Sequence, residues 1–338
     1  MVNLDAAIHS ATQFLLTACD SQGWWRDFRL APGSSDEWVT AYIGLTLASL
    51  GTRPANIAAL RGWRLLAARR SSSSGWGYNA FPPPDADSTL WALSLAQILG
   101  CAERRQAKQG YDFLKQHIHP DGGVMTYADH RPIRQFIGAV EEISFSGWCA
   151  PHVCVTAAAA QLPEFHTVAC NFLRGAQEED GHWASYWWAE DEYATALAVE
   201  ALARSGDSSD QTRIQRATQW MSSRVSMDGW VSSSVQPSGS PFATALAVRA
   251  LIVGDDSQAK SALLNRAIRW LLQQQQPNGA WRPSAGLRVP FPNCIHPQKN
   301  DSWVVGGLTE GGISLDLHGV FTTATVLQAL NTRRNHAE

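Results

Sequence analysis

Hydrophobic and polar positions follow one another along the chain in a recurring order of two helix types. Stretches such as RATQWMSSRV and LLNRAIRWLLQQQQ place apolar residues at intervals of three and four, which predicts amphipathic helices. Other stretches, such as TALAVEAL and TAAAAQL, carry many Ala and few charges, which is typical of helices buried on all sides. Turns containing Gly and Trp separate the two types. The pattern predicts pairs made of an outer helix, a loop and an inner helix.

The unit of turn and inner helix occurs six times between residues 23 and 331. The copies are GWWRDFRLAPGSSDEWVTAYIGLTLASLG, GWGYNAFPPPDADSTLWALSLAQILG, GGVMTYAD with SGWCAPHVCVTAAAAQL, EEDGHWASYWWAEDEYATALAVEALARSG, MDGWVSSSVQPSGSPFATALAVRALIVG, and PNGAWRPSAGL with HGVFTTATVLQALN. Six pairs closed head to tail leave no exposed end. We predict an all-α fold, a single (α/α)6 barrel or toroid of twelve helices, with residues 1–338 as one domain.

Repeats three and six carry extra residues before their inner helices, at about 128–147 and 285–319. Long connections between regular elements are the usual places for lids and binding loops. We expect these two insertions to form rim loops over one end of the barrel.

Composition excludes several classes of protein. The net charge of −3 argues against a nucleic-acid binder, and no stretch reaches the roughly 18 apolar residues of a membrane span. The first residues show no basic leader, so we expect a cytoplasmic protein, with peripheral membrane contact and oligomeric state left open. The six cysteines form no CxxC pair, which predicts reduced thiols and no structural zinc. The 15 Trp must either join the repeats or line a cavity.

Aligning the repeats on a shared inner-helix threonine exposes two columns of interest. The threonines are Thr40, Thr89, Thr156, Thr195, Thr244 and Thr323. Four residues upstream the column is mostly good helix N-cap chemistry, so Asp85 is predicted to cap its helix. That column contains Asp36, Asp85, His152, Asp191, Ser240 and Gly319.

Two residues upstream of the threonine, a single carboxylate stands among aromatic residues and one cysteine. The column is Trp38, Asp87, Cys154, Tyr193, Phe242 and Phe321. If the aromatics face the lumen, Asp87 faces it too, and an apolar surround raises the pKa of a carboxyl group. Trp91 lies one turn further along the same face. The alternative is that Asp87 only favours the first turn of a helix.

The segment PPPDADSTLWAL resembles the Asp-x-Asp-Asp-Thr-Ala motif of squalene–hopene cyclases and class II diterpene cyclases. The Gly/Trp turns, and QEEDGHWASYWWAEDEYATALAV above all, resemble the QW repeats of that family. The resemblance implies that Asp87 protonates the terminal alkene or epoxide of a polyprenyl chain and that Asp85 supports it. Ser88 stands where the bacterial enzymes usually have a third Asp, and oxidosqualene cyclases are similar to this variant.

The chain departs from the family at the next repeat. Squalene–hopene cyclases place an Asp and an acid-activating His around a Val-Thr-Ala sequence, whereas here Cys154 and Ala158 flank Val155-Thr156-Ala157. His152 and Ser88 are therefore our candidates for the groups that hold Asp87 in its reactive form, with helix capping as the alternative role of His152.

The chain has one helical domain where squalene cyclases have two, and so resembles the monodomain class II cyclases such as merosterolic acid synthase. This implies a lipophilic substrate of three or four prenyl units, a prenylated aromatic or a C15–C20 polyprenyl compound. No cofactor is expected, and Mg²⁺ matters only if the substrate is a diphosphate. Arg282 and Arg288 are candidates for binding the head group. The predicted substrate-binding side chains are Trp38, Trp91, Cys154, Tyr193, Trp187, Trp188, Phe242 and Phe321.

Three alternatives remain at this stage. A prenyltransferase-like toroid needs a zinc ion held by an Asp-x-Cys pair and a distant His, and the sequence contains no Asp-x-Cys. Cys149, His152 and Cys154 could imitate such a set of zinc ligands. A glycosidase-like toroid needs two luminal carboxylates, for which Glu141, Glu142 and Asp191 are available. A non-catalytic toroid that binds a lipid or a partner protein is the third.

Overall fold

Twelve of the thirteen α-helices found in the described residues, 3–69, 75–254 and 258–336 of a computed structural model, form two concentric rings. The inner ring consists of α2 (Glu37–Ser49), α4 (Ala86–Ile98), α7 (Val153–Ala159), α9 (Asp191–Ser205), α11 (Pro241–Val253) and α13 (Val320–Asn335). The outer ring consists of α1 (Leu4–Thr17), α3 (Arg53–Arg69), α5 (Arg105–Lys115), α8 (His166–Gly175), α10 (Gln211–Arg224) and α12 (Gln258–Gln274).

The inner ring is closed. Each inner helix packs against the next one along the chain, and α13 packs against α2, while the outer helices pack against the inner ones. The side chain of Asp27 helps to close the ring, because it accepts the backbone N–H of Val320 at 2.8 Å at the start of α13. The predicted (α/α)6 toroid is confirmed.

The repeated threonine joins each turn to its inner helix. All six threonines are fully buried, and each hydroxyl accepts a backbone N–H of the preceding turn at 2.8 to 3.1 Å. In four repeats the turn residue is Trp, whose indole N–H also donates to a leucine carbonyl of the outer helix at 2.7 to 2.9 Å. These tryptophans, Trp25, Trp76, Trp183 and Trp281, therefore connect an outer helix, a turn and an inner helix.

The predicted N-cap column is correct for two repeats. Asp85 and Ser240 accept the backbone N–H three residues on, from Ser88 at 2.7 Å and Ala243 at 3.1 Å. Asp36 instead pairs with Arg69, because buried carboxylates are stabilised more by a guanidinium than by one amide. The side chains of Asp36 and His152 make no capping hydrogen bond. Asp191 is the first residue of α9, whose N-cap is Glu190, and Gly319 has no side chain with which to cap α13.

The extra residues of repeats three and six fold into elements of their own, so the chain is not purely α-helical. Repeat three adds the short helix α6 (His130–Ile137). Repeat one has a hairpin of β1 (Asp27–Leu30) and β2 (Gly33–Ser35), and repeat six adds β3 (Gly286–Val289), β4 (Val304–Val305) and β5 (Gly312–Leu315). In the second sheet β5 lies between β3, to which it is antiparallel, and β4, to which it is parallel.

The two insertions are joined by main-chain and side-chain contacts. The backbone N–H groups of Gly147 and Trp148 donate to the carbonyl of Pro292, and the Trp148 indole donates to that of Pro290 at 2.9 Å. A Cβ at position 147 would lie 2.2 Å from the carbonyl oxygen of Cys294, so only glycine fits this approach. We call these contacts the rim clasp.

Within the described part of the chain, no helix combines the length and apolar character needed to cross a membrane. The six cysteines are free thiols.

Candidate active site

A cavity of about 440 Å³ lies among the turns and insertions at one end of the barrel. Its volume falls in the range of roughly 300 to 1,000 Å³ typical of small-molecule sites. The wall is mostly apolar and comes from the β1–β2 turn, the loop before α4, the first turn of α4, α6, strand β3 and the segment between β4 and β5.

Exposure distinguishes the inner end of the cavity from its mouth. Asp85 and Ser88, at the start of α4, are 6% and 4% exposed, and Thr126 is 4% exposed. In contrast, Phe136 of α6 and Leu308 between β4 and β5 are 39% and 46% exposed. The cavity therefore runs from the start of α4 outward to a mouth between α6 and residues 308–310.

Asp85 is tied to the residue three positions on. Its Oδ1 accepts the Ser88 backbone N–H at 2.7 Å, and its Oδ2 accepts the Ser88 hydroxyl at 2.8 Å. Burial raises the pKa of Asp85 to about 7 despite these hydrogen bonds, and the nearby charge of Glu37 adds to the rise. The side-chain hydrogen bonds of Asp85 thus go to Ser88, and its influence on Asp87 is electrostatic.

Asp87 borders the cavity directly. Its side chain is half-buried, and its open surface faces the cavity. Burial, and next the charge of Asp85, raise the pKa of Asp87 to about 8, while the Trp91 indole N–H acts in the opposite direction. The indole nitrogen of Trp91 is buried and has no hydrogen-bond partner of good geometry. It lies near the Asp87 carboxyl group but does not form a full hydrogen bond with it. Asp87 is consequently mostly protonated at neutral pH.

Several polar groups near Asp87 are buried without a partner. Besides the Trp91 nitrogen, the indole N–H of Trp38 and the hydroxyl of Tyr193 have no hydrogen bond. Burial raises the pKa of the Tyr193 phenol and the Cys154 thiol, and the charge of Asp87 raises both further, so both groups lie close to the acid. Unsatisfied buried donors cost about 1–3 kcal/mol each and are commonest at functional sites.

Most rings of the aromatic column pack against one another where the inner helices converge, and so close the ring axis. Trp188 stacks on Tyr193, Phe242 and Phe321 with ring centroids 4.5, 5.2 and 5.2 Å apart, and all four are buried. We call these four residues the aromatic plug. Of the eight predicted substrate-binding side chains only Trp38 and Trp187 border the cavity, because large rings converging on one axis fill it. Those behind the wall are Trp91, Cys154, Tyr193, Trp188, Phe242 and Phe321.

His152 is the N-cap residue of α7, but its side chain makes no capping hydrogen bond and none to Asp87, so neither predicted role of the imidazole matches its hydrogen bonds. Its Nδ1 lies 2.7 Å from the Thr126 hydroxyl and 3.2 Å from the Trp187 indole N–H, and its Nε2 donates to the Gly147 carbonyl at 2.8 Å. Burial lowers the pKa of His152 to about 3, so the ring is neutral. Since Thr126 and Trp187 border the cavity, His152 connects the cavity wall to the rim clasp.

The other candidates from the sequence lie away from the cavity. Arg288 is buried and donates to the carbonyls of Tyr186 and Ser185, while Arg282 donates to that of Gly239, so neither meets a head group there. Glu141 and Glu142 are exposed, and Asp191 accepts the Ser185 N–H at 2.7 Å. No group of three or more His, Cys, Asp or Glu in the described ranges could hold a metal ion.

Sequence reasoning missed part of the wall. Tyr127 and Trp148 lie in or beside the repeat-three insertion, Ile133 lies on α6, and Thr309 and Glu310 belong to the repeat-six insertion. The only available signal was the length of the insertions, since these residues occupy no repeat column.

Comparison with known proteins gives consistent results. Residues 153–297 match the profile of the squalene-hopene cyclase C-terminal domain. The type II terpene cyclase MstE from Scytonema superposes with a TM-score of 0.95 and 39% sequence identity, covering 98% of this chain and 99% of that one. Variants of MstE have also been solved with geranylgeranyl dihydroxybenzoate as substrate and with merosterolic acid A as product.

Two further similarities extend the comparison. A protein from Actinoplanes superposes with a TM-score of 0.90 and 38% identity, over 98% of this chain and all of that one. Terpentedienyl-diphosphate synthase from Kitasatospora griseola is 27% identical over 241 residues, which is 65% of this chain and 42% of that protein. The chain spans between 21% and 42% of the length of the curated relatives that it matches.

Proposed function

The chain belongs to the type II terpene cyclases, and from that premise we propose that it cyclises a linear polyprenyl chain in its cavity after protonation by Asp87. The observation that carries this proposal is a carboxyl group with a pKa raised to about 8 at the inner end of an apolar cavity. Such a group keeps its proton at neutral pH, and a polyprenyl chain that fills the cavity would exclude bulk water from it.

Burial alone would keep the proton on Asp87, so its release needs a second contribution. When the terminal alkene or epoxide takes the proton, a carboxylate remains in a low-dielectric site beside a new cation, and the two attract each other strongly. The Trp91 indole N–H stabilises the same carboxylate, since it lowers the pKa of Asp87. Asp85 acts electrostatically, because its negative charge disfavours the ionised form of Asp87 and so helps to keep the proton on Asp87 at neutral pH.

Aromatic faces along the wall suit the cation that follows. Trp38, Tyr127, Trp148 and Trp187 border the cavity beyond Asp87, and the ring quadrupole attracts a positive charge placed over its face. Since the wall is largely apolar, few groups in it can capture the cation before successive rings close. Loss of a proton from the last cation ends the sequence, so the product is an isomer of the substrate. No step of this sequence needs a cofactor, and Mg²⁺ enters only if the substrate carries a diphosphate.

We assign the substrate as a chain of three or four prenyl units attached to an aromatic head group. Support comes from MstE, whose substrate and product are a geranylgeranyl dihydroxybenzoate and a merosterolic acid. The product is accordingly a polycyclic meroterpenoid.

Replacing Asp87 by Asn tests the proposal. Asp87→Asn keeps the size and polarity of the side chain but removes the transferable proton, so kcat should fall by at least about 10³-fold while substrate still binds. The assay is product formation from prenylated aromatic substrates by chromatography and mass spectrometry, with Asp112→Asn on the exposed face of α5 as matched control.

Near wild-type turnover in Asp87→Asn would show that another group supplies the proton. A second candidate function, a toroid that binds lipid without reaction, predicts tight substrate binding and no product in either protein. The paired measurement of binding and turnover therefore separates the two functions.

A further inference from the structure

The cavity has an acid at its mouth as well as at its inner end. The described residues that border the cavity include three carboxyl groups, and no Lys or Arg is among them. The carboxyl groups are those of Asp85, Asp87 and Glu310. Asp85 and Asp87 lie at the inner end, where the alkene or epoxide is protonated. Glu310 lies next to the exposed Leu308 and Thr309, where the other end of a bound chain would be placed.

The arginines nearest to the wall along the chain are directed elsewhere. Arg288 lies between two lining residues of β3, Leu287 and Val289, and its side chain faces the opposite side of the strand, toward the carbonyls of residues 185 and 186. Arg134 follows Ile133 on α6, and its guanidinium donates to carbonyls of the same insertion and lies over the Phe145 ring.

Two other arginines near the mouth are likewise unavailable to the cavity. Arg131 pairs with Asp129 at 2.7 Å on the surface of the insertion. Arg29 is exposed and precedes the lining residue Leu30 in β1, so strand alternation places its side chain on the other face. An anionic head group at the mouth would therefore meet a carboxylate and no facing cation from these segments.

Glu310 is held in place while its carboxylate is unpaired. On one side of it the Leu308 carbonyl accepts the Ala31 N–H at 2.9 Å, and on the other the Gly311 N–H donates to the Val289 carbonyl at 2.8 Å. The side chain is half-buried and makes no hydrogen bond or ion pair with the described residues. A carboxylate carried on a hydrogen-bonded segment of backbone at a cavity mouth is an acceptor for hydroxyl or N–H donors.

We propose that Glu310 selects an uncharged, hydroxyl-bearing aromatic head group, such as a prenylated hydroquinone, and disfavours prenyl benzoates and diphosphates. This inference rests on the proposed function, because it assumes that the chain end to be protonated lies at Asp87. The hydroxyl donates to the Glu310 carboxylate, whereas a carboxylate or diphosphate at the same place is repelled.

Binding to the inactive Asp87→Asn protein tests the inference without requiring turnover. Quenching of tryptophan fluorescence gives Kd for geranylgeranyl hydroquinone, geranylgeranyl dihydroxybenzoate and geranylgeranyl diphosphate, since Trp38, Trp148 and Trp187 border the cavity. We expect the hydroquinone to bind at least tenfold more tightly than either anion. Adding Glu310→Arg should reverse this order, and Glu310→Gln should reduce the difference, whereas Glu142→Arg at an exposed position should change nothing.

Equal or tighter binding of the anions with Glu310 intact, or no effect of Glu310→Arg, would overturn the inference. Turnover of the same three compounds by the protein with Asp87 intact distinguishes failure of this inference from failure of the proposed function. Asp87-dependent cyclisation that favours the benzoate leaves the function standing and removes the head-group assignment. Selective binding of the hydroquinone without cyclisation of any compound would support the head-group assignment and contradict the proposed function.

Discussion

At the scale of the residue, the properties of Asp87 come from its surroundings. Burial first and the Asp85 charge second raise the pKa of its carboxyl group, and the Trp91 indole lowers it. Asp85 is itself a buried acid with a pKa raised to about 7, so two carboxyl groups share one apolar site and resist ionising together. The protonation state of Asp87 therefore depends on whether Asp85 is ionised.

The pH dependence of activity follows from this arrangement. A group whose protonated form acts as the acid is active below its pKa and inactive above it. With a pKa of about 8 for Asp87, kcat/KM should be level near pH 6 to 7 and fall about tenfold per pH unit above 8.

Asp85→Asn should move this alkaline limb to lower pH by about one unit, because it removes a charge that raises the pKa of Asp87 while an amide oxygen can still accept the Ser88 N–H. The measurement is a kcat/KM profile from pH 5 to 10 for both proteins. Activity that rises with pH through this range would mean that the essential group works as a base.

The sequence identifies Asp87 because repetition supplies an internal comparison: one carboxylate occupies a column of aromatics. It also identifies Asp85 and Ser88 as its neighbours, and the structure places both beside it. It could not show that the aromatic plug closes the axis or that Glu310 lies at the mouth. Side-chain packing at a crowded axis and the path of an irregular insertion depend on long-range contacts that no local periodicity encodes.

At the scale of the element, the repeated threonine determines how each turn meets its helix. Thr244→Val is nearly isosteric but leaves the Val231 N–H, now bonded at 2.9 Å, without an acceptor in a buried site. We expect a loss of about 1–3 kcal/mol in the free energy of unfolding. Urea denaturation measures it, and Thr17→Val, on the exposed end of α1, should have a much smaller effect.

His152 also connects separate elements, since its side chain joins the start of α7 to the cavity wall and to the rim clasp. His152→Phe keeps an aromatic ring against Tyr186 but loses the hydrogen bonds to Thr126, Trp187 and Gly147. We expect kcat/KM to fall about tenfold because the Trp187 face is no longer fixed.

The pH profile distinguishes this role from activation of Asp87. His152 has a pKa of about 3 and does not contact the acid, so the alkaline limb of the His152→Phe profile should coincide with that of the parent protein. A shifted limb would indicate that the imidazole influences the acid after all.

At the scale of the whole molecule, the architecture follows from repetition. Six similar units with buried inner helices have few ways to cover their apolar faces, and a closed ring covers them all. For this reason the toroid and its twelve helices could be predicted from the sequence. Helix α6 and the β3–β5 sheet could not, because each occurs once and its residues follow neither a helical nor a strand period for long enough.

The rim clasp has a consequence for what happens after the reaction. A linear polyprenyl chain can thread through a narrow opening one unit at a time, because each of its single bonds can turn. A fused ring system has lost that freedom and must leave as one rigid body, through a gap as wide as itself. The rim clasp joins the two insertions that carry the two sides of the cavity mouth, α6 and residues 308–310. We therefore expect the clasp to limit how wide the mouth can open, and so how fast a fused product leaves.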